Sequence, residues 1–400
     1  VSELTDDERA SVPSCDPQPV PHVAGTVKAG AAKALSGAQR FPRHRQGRSS
    51  SGGDRGEVYG ALDLGTNNCR LLLARPSRRG FRVVDAFSRI IRLGEGVSQS
   101  GQLSDAAMRR TMDALRVCAA KLARNDVVRA RCVATEACRI ASNGRDFLRR
   151  VEHEVGLKLE VLDRETEARL AVSGCASLID NRADYVLVFD IGGGSSELIW
   201  LDLSGEARDG GEDGTGRRPN VKPRIGAWTS LPVGVVTLAE RFGGHNVTPT
   251  SFEDQVAYVS ELVRPFEALH GFRERANGGN VHLLGTSGTV TTVAGIHLGL
   301  KRYDRARVDG CWLTTQEIQT VTYELLARSY EERVAEPCIG QERADLVLAG
   351  CAILEAILRM WPAERLRVAD RGLREGILAT LMSEDGVYRV GRRRRRHRPG

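Results

Sequence analysis

The stretch YVLVFDIGGGSSELIW, Tyr185 to Trp200, decides the fold. An apolar run ends in Asp190, three glycines follow, and two serines and Glu197 lead into a second apolar run. Two such runs around a glycine cluster read as two strands joined by a tight turn. Three consecutive glycines clear every side chain from that turn, so some group must approach the backbone closely at Gly192, Gly193 and Gly194.

The layout has an upstream copy, YGALDLGTNNCRLLLAR, Tyr59 to Arg75. Asp63 aligns with Asp190, Gly65 with Gly192 and Arg70 with Glu197. Two copies imply a duplicated unit or two halves of one site.

Outward from these turns, strands and helices are mixed. FRVVDAFSRIIRLG predicts one more strand, and SDAAMRRTMDALRVCAAKLARND a helix capped by Ser104. RARCVATEA and LKLEVLD read as strands, and RETEARLAVSGCASLI as a helix. The second half repeats the theme, with a polar hairpin loop at GEARDGGEDGTGRRPNVKPR. The chain should end its folded body with LRVADRGLREGILATLM. The expected architecture is α/β, with two lobes and a cleft between them. The expected boundaries are a disordered extension over 1–55, lobes over 56–170 and 171–386, and a disordered arginine-rich tail over 387–400.

Composition narrows the function classes. The 400 residues are 41% hydrophobic and 27% charged, which suits a soluble globular chain. No apolar run approaches the roughly 20 residues of a membrane span. The N-terminal residues lack a basic-then-apolar signal pattern, so the expected location is the cytoplasm, with no membrane partner. Nine cysteines are scattered singly without a C-x-x-C pair, which favours buried thiols over disulfides or zinc. The net charge is +7, and the seven arginines between Arg389 and Arg398 account for it. The body is therefore no basic platform, and any affinity for nucleic acid or another polyanion outside a pocket belongs to the tail.

Four constellations carry chemistry. Backbone N–H groups at the two aspartate–glycine turns would form anion-binding nests, with a divalent cation between phosphate and aspartate; the alternative is a hairpin that needs glycine only for its geometry. LLGTSGTVTTVAG, Leu283 to Gly295, places Gly285, Ser287, Gly288 and Thr289 at a strand–helix junction where an anion could sit, or where hydroxyls simply cap a helix. Arg139, in CVATEACRIASNG, lies just past a strand end and could clamp phosphate or lie on a helix surface. In DRETEARLAVSG, Glu165 and Glu167 point in different directions, so only one can face a cleft and take a proton from water; acids also favour a first turn through the helix dipole alone.

These blocks resemble the exopolyphosphatase/guanosine pentaphosphate phosphohydrolase (Ppx/GppA) family of the actin-like ATPase superfamily. ALDLGTNNCRLLLAR resembles its first phosphate loop and VFDIGGGSSELI its second; ATEACR, ETEARL, SLPVGVVTLAERF, LLGTSGTVTT and VADRGLREGIL follow in the family's order. The resemblance spans roughly Tyr59 to Leu381 and implies two actin-like (ribonuclease H-like, ASKHA) lobes of the short two-domain type, without an HD domain. It implies that Glu167 activates the attacking water, that Asp190 and Glu197 hold Mg²⁺ or another divalent cation, and that Glu197 also assists hydrolysis. It makes Arg139 a phosphate contact and places Asp63, Gly65, Thr66 and Asn67 in the first loop and Gly192, Gly193, Gly194 and Ser195 in the second. Two positions depart from the pattern: Asn68 replaces serine and Thr166 replaces glutamate.

The implied activity is release of terminal orthophosphate from inorganic polyphosphate. The alternative substrate is guanosine pentaphosphate (pppGpp), which belongs to the stringent response; a further alternative is a catalytically weak polyanion-binding regulator. The resemblance also implies a homodimer.

Overall fold

The computed structural model describes residues 37–40, 56–78, 80–204, 223–278 and 280–387. The expected polar loop falls almost wholly outside them, as do the arginine-rich tail and most of the N-terminal extension.

Apolar runs between turn residues become strands. One sheet holds β1 (Gln39–Arg40), β2 (Val58–Leu64), β3 (Asn68–Ser77), β4 (Gly80–Ile90), β5 (Val127–Ala134) and β6 (Glu160–Val161). The other holds β7 (Tyr185–Ile191), β8 (Ser196–Asp202), β9 (Arg224–Leu231), β10 (Val281–Thr286), β11 (Trp312–Thr314) and β12 (Arg365–Ala369). The path β4-β3-β2-β5 of the first sheet recurs as β9-β8-β7-β10 in the second. Both paths are antiparallel until the last pairing, which is parallel. β6 and β12 add equivalent parallel fifth strands. One α/β unit is therefore present twice. The turns match as well: Gly65 N donates to Asn68 O at 2.9 Å and Gly192 N to Ser195 O at 2.9 Å.

Three sequence expectations change. Order does not start near Glu57, because Gln39 and Arg40 pair antiparallel with Arg129 and Ala130. LKLEVLD yields only the two residues of β6, which shares the β5 edge with β1. The lobes are also not two contiguous segments. The last helix, Leu373–Glu384, leaves the second sheet and buries Ile377, Leu378 and Leu381 against Tyr59, Ala61 and Leu72 of the first.

The helix Arg164–Cys175 bridges the lobes from the other direction. Its Leu170 joins that cluster of the first lobe, whereas Ala168 and Cys175 pack with Val186, Val188 and Ile199 of the second. These two helices cross backbone to backbone. A Cβ on Gly174 would lie 2.0 Å from Gly372 O, and one on Gly376 would lie 2.0 Å from Leu170 O. Any side chain at either glycine would push the helices apart, and with them the lobes.

Helix ends follow their capping residues. Ser104 accepts from Ala107 N at the start of Asp105–Arg124, and Thr248 accepts from Ser251 N at the start of Pro249–His270. The latter helix contains an anomaly. Gln255 is fully buried beside Phe252, Val256 and Val259, and neither amide atom has a hydrogen-bond partner among the described residues. A buried polar group without a partner costs about 1–3 kcal/mol. Gln255→Leu should therefore raise the thermal midpoint by a few degrees, and a lowered midpoint in calorimetry would mean that the amide has a bonded role.

Candidate active site

Both aspartate turns open into one interlobe cavity of about 150 Å³. β2 delivers Asp63 and its turn delivers Thr66 and Asn67; β7 delivers Asp190 and its turn delivers Gly192 to Ser195. The sheet register then sets the partners: Asp63 lies opposite Arg70 on β3, and Asp190 lies opposite Glu197 on β8. The two equivalent positions thus carry opposite charges, and the cavity has a cationic and an anionic wall.

The glycines answer to something other than a small ligand. A Cβ on Gly193 would lie 2.9 Å from Thr66 Cβ and 3.1 Å from Asn67 N. One on Gly194 would lie 3.0 Å from Thr66 Oγ1 and 3.2 Å from Glu136 Cγ. None of Gly192, Gly193 or Gly194 has a positive φ. The triple glycine lets the first loop nest against the second. The close approach expected from the sequence is thus protein on protein along the Cβ directions. The backbone N–H groups stay uncommitted: those of Thr66, Asn67, Gly193, Gly194 and Ser195 donate to no protein acceptor among the described residues. Those of Gly288, Thr289 and Val290, in the first turn of the helix Gly288–His297, are likewise free. Together they are uncommitted donors of the kind that can hold an anion.

Three buried side-chain oxygens around the cavity also lack partners among the described residues: Asn67 Oδ1, Asn68 Oδ1 and Ser287 Oγ. Ser287 holds φ at 103°, a costly value for a residue with a Cβ. Asn68, where the resemblance led to serine, lines the cavity, so the departure falls on a lining position.

Glu167 lines the cavity and Glu165 does not; Glu165 pairs with Arg169 on the outer face. Thr166, the other departure, contributes to the cap: Asp163 accepts from Thr166 N at 2.7 Å and from Thr166 Oγ1 at 2.8 Å. Ser287, Gly288 and Thr289 line the cavity as expected. Gly65, Gly285 and Arg139 are absent from its wall. Gly65 serves the turn, and Gly285 makes room for Phe189, whose Cζ would lie 2.7 Å from a Cβ. Arg139 is engaged by Glu136, Glu167 and Leu162 O. Sequence reasoning missed Glu136, Arg343 and Thr292 as cavity residues. Glu136 stands inside ATEACR and was legible as a neighbour, but nothing in QERADL marked Arg343.

Carboxylates dominate the electrostatics. Burial, then the charge of Asp190, pushes Glu197 up to about 7, although Ser195 Oγ and Ser230 Oγ donate to its Oε1 at 2.8 and 2.9 Å. Burial lifts Asp63 to about 6 against the pull of Arg70 and Arg374. Glu167 is raised by burial and by Glu197, with Arg139 opposing. Burial raises Asp190, with the Thr286 hydroxyl opposing.

A group whose pKa is raised on folding contributes stability that is complete below its unfolded value and is lost as pH climbs through the folded value. For Glu197 that window runs from 4.5 to about 7, worth on the order of 3 kcal/mol. Glu197→Gln should thus gain stability relative to wild type between pH 4 and pH 8 in ligand-free protein. Parallel melting curves across that range would contradict the burial of an ionising Glu197.

A second chamber of about 480 Å³ adjoins the first, and Asp63, Arg70, Asp190, Ser287 and Arg343 line both. Its Arg305 is paired with Glu375 at 2.8 Å, and its Arg371 is paired with Asp309. Arg70, Arg343 and Arg374 make no ion pair among the described residues; Arg70 and Arg343 stand where the two spaces meet, and Arg374 lines the second chamber.

Residues 73–385 match the model of the Ppx/GppA phosphatase family. Three solved structures resemble the chain over its folded body. The Ppx/GppA family member of Aquifex aeolicus is 27% identical, with a TM-score of 0.63, over 82% of this chain and 98% of that one. An exopolyphosphatase-like protein is 27% identical, with a TM-score of 0.68, over 82% and 99%. An exopolyphosphatase from Cytophaga hutchinsonii is 24% identical, with a TM-score of 0.70, over 82% and 98%.

Proposed function

The chain belongs to the Ppx/GppA phosphatase family, and on that premise we propose that it hydrolyses the terminal phosphoanhydride of inorganic polyphosphate. One observation carries the reading. Two equivalent loops with N–H groups uncommitted among the described residues meet a buried glutamate around one cavity.

The terminal phosphoryl group binds against the N–H groups of Thr66, Asn67, Gly193, Gly194 and Ser195, which act as preorganised donors. Glu167 accepts a proton from water as the water oxygen bonds to phosphorus. The P–O bond to the rest of the chain breaks, and the departing phosphate oxygen keeps the electron pair. Products are orthophosphate and a chain one unit shorter. The Arg70, Arg343 and Arg374 cluster faces the negative charge of the remaining chain.

The residues fit a divalent cation. Asp190 and Glu197 are register partners, both buried and both raised, so a positive charge between them would relieve the repulsion. A pair of carboxylates suits Mg²⁺, an ion that binds through one or two carboxylates and keeps several waters. When bound, it would neutralise charge on the phosphate oxygens.

One observation favours pppGpp as the alternative substrate. The half-exposed Tyr303 ring lines the second chamber with its hydroxyl fixed on Asp370 at 2.8 Å, and a flat base could stack there. Phosphate release from long polyphosphate, tripolyphosphate and pppGpp, compared by kcat/KM with Mg²⁺ present, separates the substrates. Polyphosphate should lead; pppGpp turned over at least tenfold better would reverse the assignment, and release from none of the three would remove the hydrolase reading.

A further inference from the structure

We infer that Glu136 is a positioning residue for Glu167, fixing the direction of that carboxylate through Arg139 and the turn that bears it through Arg164. The inference rests on the reading of Glu167 as the base.

Glu136 opens the short helix Glu136–Ile140 directly after β5 and is 4% exposed. Its Oε2 accepts from Arg139 Nε at 2.9 Å and from Arg139 Nη2 at 2.6 Å. Its Oε1 accepts from Arg164 Nη2 at 2.6 Å. Arg139 Nη2 also donates to Glu167 Oε2 at 3.1 Å, while Nη1 donates to Leu162 O. Every nitrogen of Arg139 therefore has a protein acceptor, and the guanidinium lies outside the cavity wall. A planar fork held this way orients both carboxylates it touches, which a point charge could not do.

Arg164 and Glu167 stand three residues apart in the first turn of Arg164–Cys175, on one face of it. Glu136 grips that turn at both positions, directly at Arg164 and through Arg139 at Glu167. Its stem also faces Gly194 of the second loop, where a Cβ would lie 3.2 Å from Glu136 Cγ. One carboxylate thus links the base, its helix and the phosphate loop. Glu136 borders the cavity, and a free carboxylate there would repel phosphate; the two arginines neutralise it. Holding a base within a fraction of an ångström of its productive place affects rate without affecting substrate binding.

The test is steady-state phosphate release from tripolyphosphate with Mg²⁺. Glu136→Gln keeps the side-chain volume but cannot accept from both arginines. It should lower kcat ~10–100-fold with KM within about twofold, with circular dichroism showing the fold retained at the assay temperature. The double variant Glu136→Gln/Glu167→Gln should be no slower than Glu167→Gln alone, because both changes act on one group. Should Glu136→Gln fold poorly, Arg139→Lys retains the cation, removes the fork, and should give the same kcat loss at unchanged KM. Wild-type kcat in both single variants would overturn the inference. So would a raised KM at unchanged kcat, or losses that multiply in the double variant, since each places Glu136 on the substrate. Wild-type turnover by Glu167→Gln would instead remove the base reading beneath it.

Discussion

Glu167→Gln should abolish turnover and leave substrate binding nearly intact. The amide matches the carboxylate in size and cannot take the proton from water. A positioned general base contributes roughly 10²–10⁴ in rate, so kcat should fall within that range. The side chain is only 14% exposed and sits beside Arg139, so the cavity should keep its shape. Replacing the carboxylate also removes a negative charge from the cavity wall, so binding of the anionic substrate should strengthen slightly if it changes at all. Phosphate release gives kcat, and titration calorimetry with tripolyphosphate gives affinity. Full turnover in the variant would take the base role away from Glu167.

Gly193→Val should be the most damaging change in the two loops, and its damage should be to lobe closure. φ at Gly193 is not positive, so a side chain does not strain the turn itself. The Cβ has nowhere to go, however: Thr66 Cβ, Asn67 N and Asn67 Cβ would all lie within 3.2 Å of it. The first loop must retreat, and the N–H groups of the two lobes then no longer converge on one phosphate. Turnover should drop by at least ~10²-fold, the scale of losing oxyanion donors. Gly193→Ala should fall between, and removing the obstacle with Thr66→Gly should recover part of the Gly193→Ala loss. Circular dichroism should show both sheets retained. A folded Gly193→Val enzyme with unchanged KM and kcat would mean that the loops need not touch.

The sequence expectation for this glycine was a close approach to the backbone, and along the Cβ direction the structure places Thr66 and Asn67 there. A glycine run states that a Cβ is excluded, and it is silent on what excludes it. The neighbour is Thr66, more than a hundred residues away in the chain, and no local pattern carries that information. Arg139 shows the same limit. Its place after β5 marks it as a cation near the site, but its charge is taken up by Glu136 and Glu167, which come from two different helices. The interlobe role of the last helix was hidden for a related reason: its small and apolar residues suit any buried helix, and only their burial against Tyr59 and Ala61 places it on the first lobe.

What the sequence by itself determined is what short-range forces control. The strands around Asp63 and Asp190 follow from apolar runs, the two turns from glycine and polar residues, and the start of the helix Asp105–Arg124 from Ser104 as its cap. Because the two aspartate turns share one layout, the duplication and the membership of both turns in one site were also legible there. The tertiary structure alone decided which groups meet across the cleft: Gly193 with Thr66, Arg139 with Glu167, and Arg343 at the junction of the two chambers. Backbone geometry and hydrogen bonding act over a few residues and leave a periodic trace in the sequence. Charge neutralisation and the packing of one lobe on the other act through space, between residues whose separation in the chain leaves no trace at all.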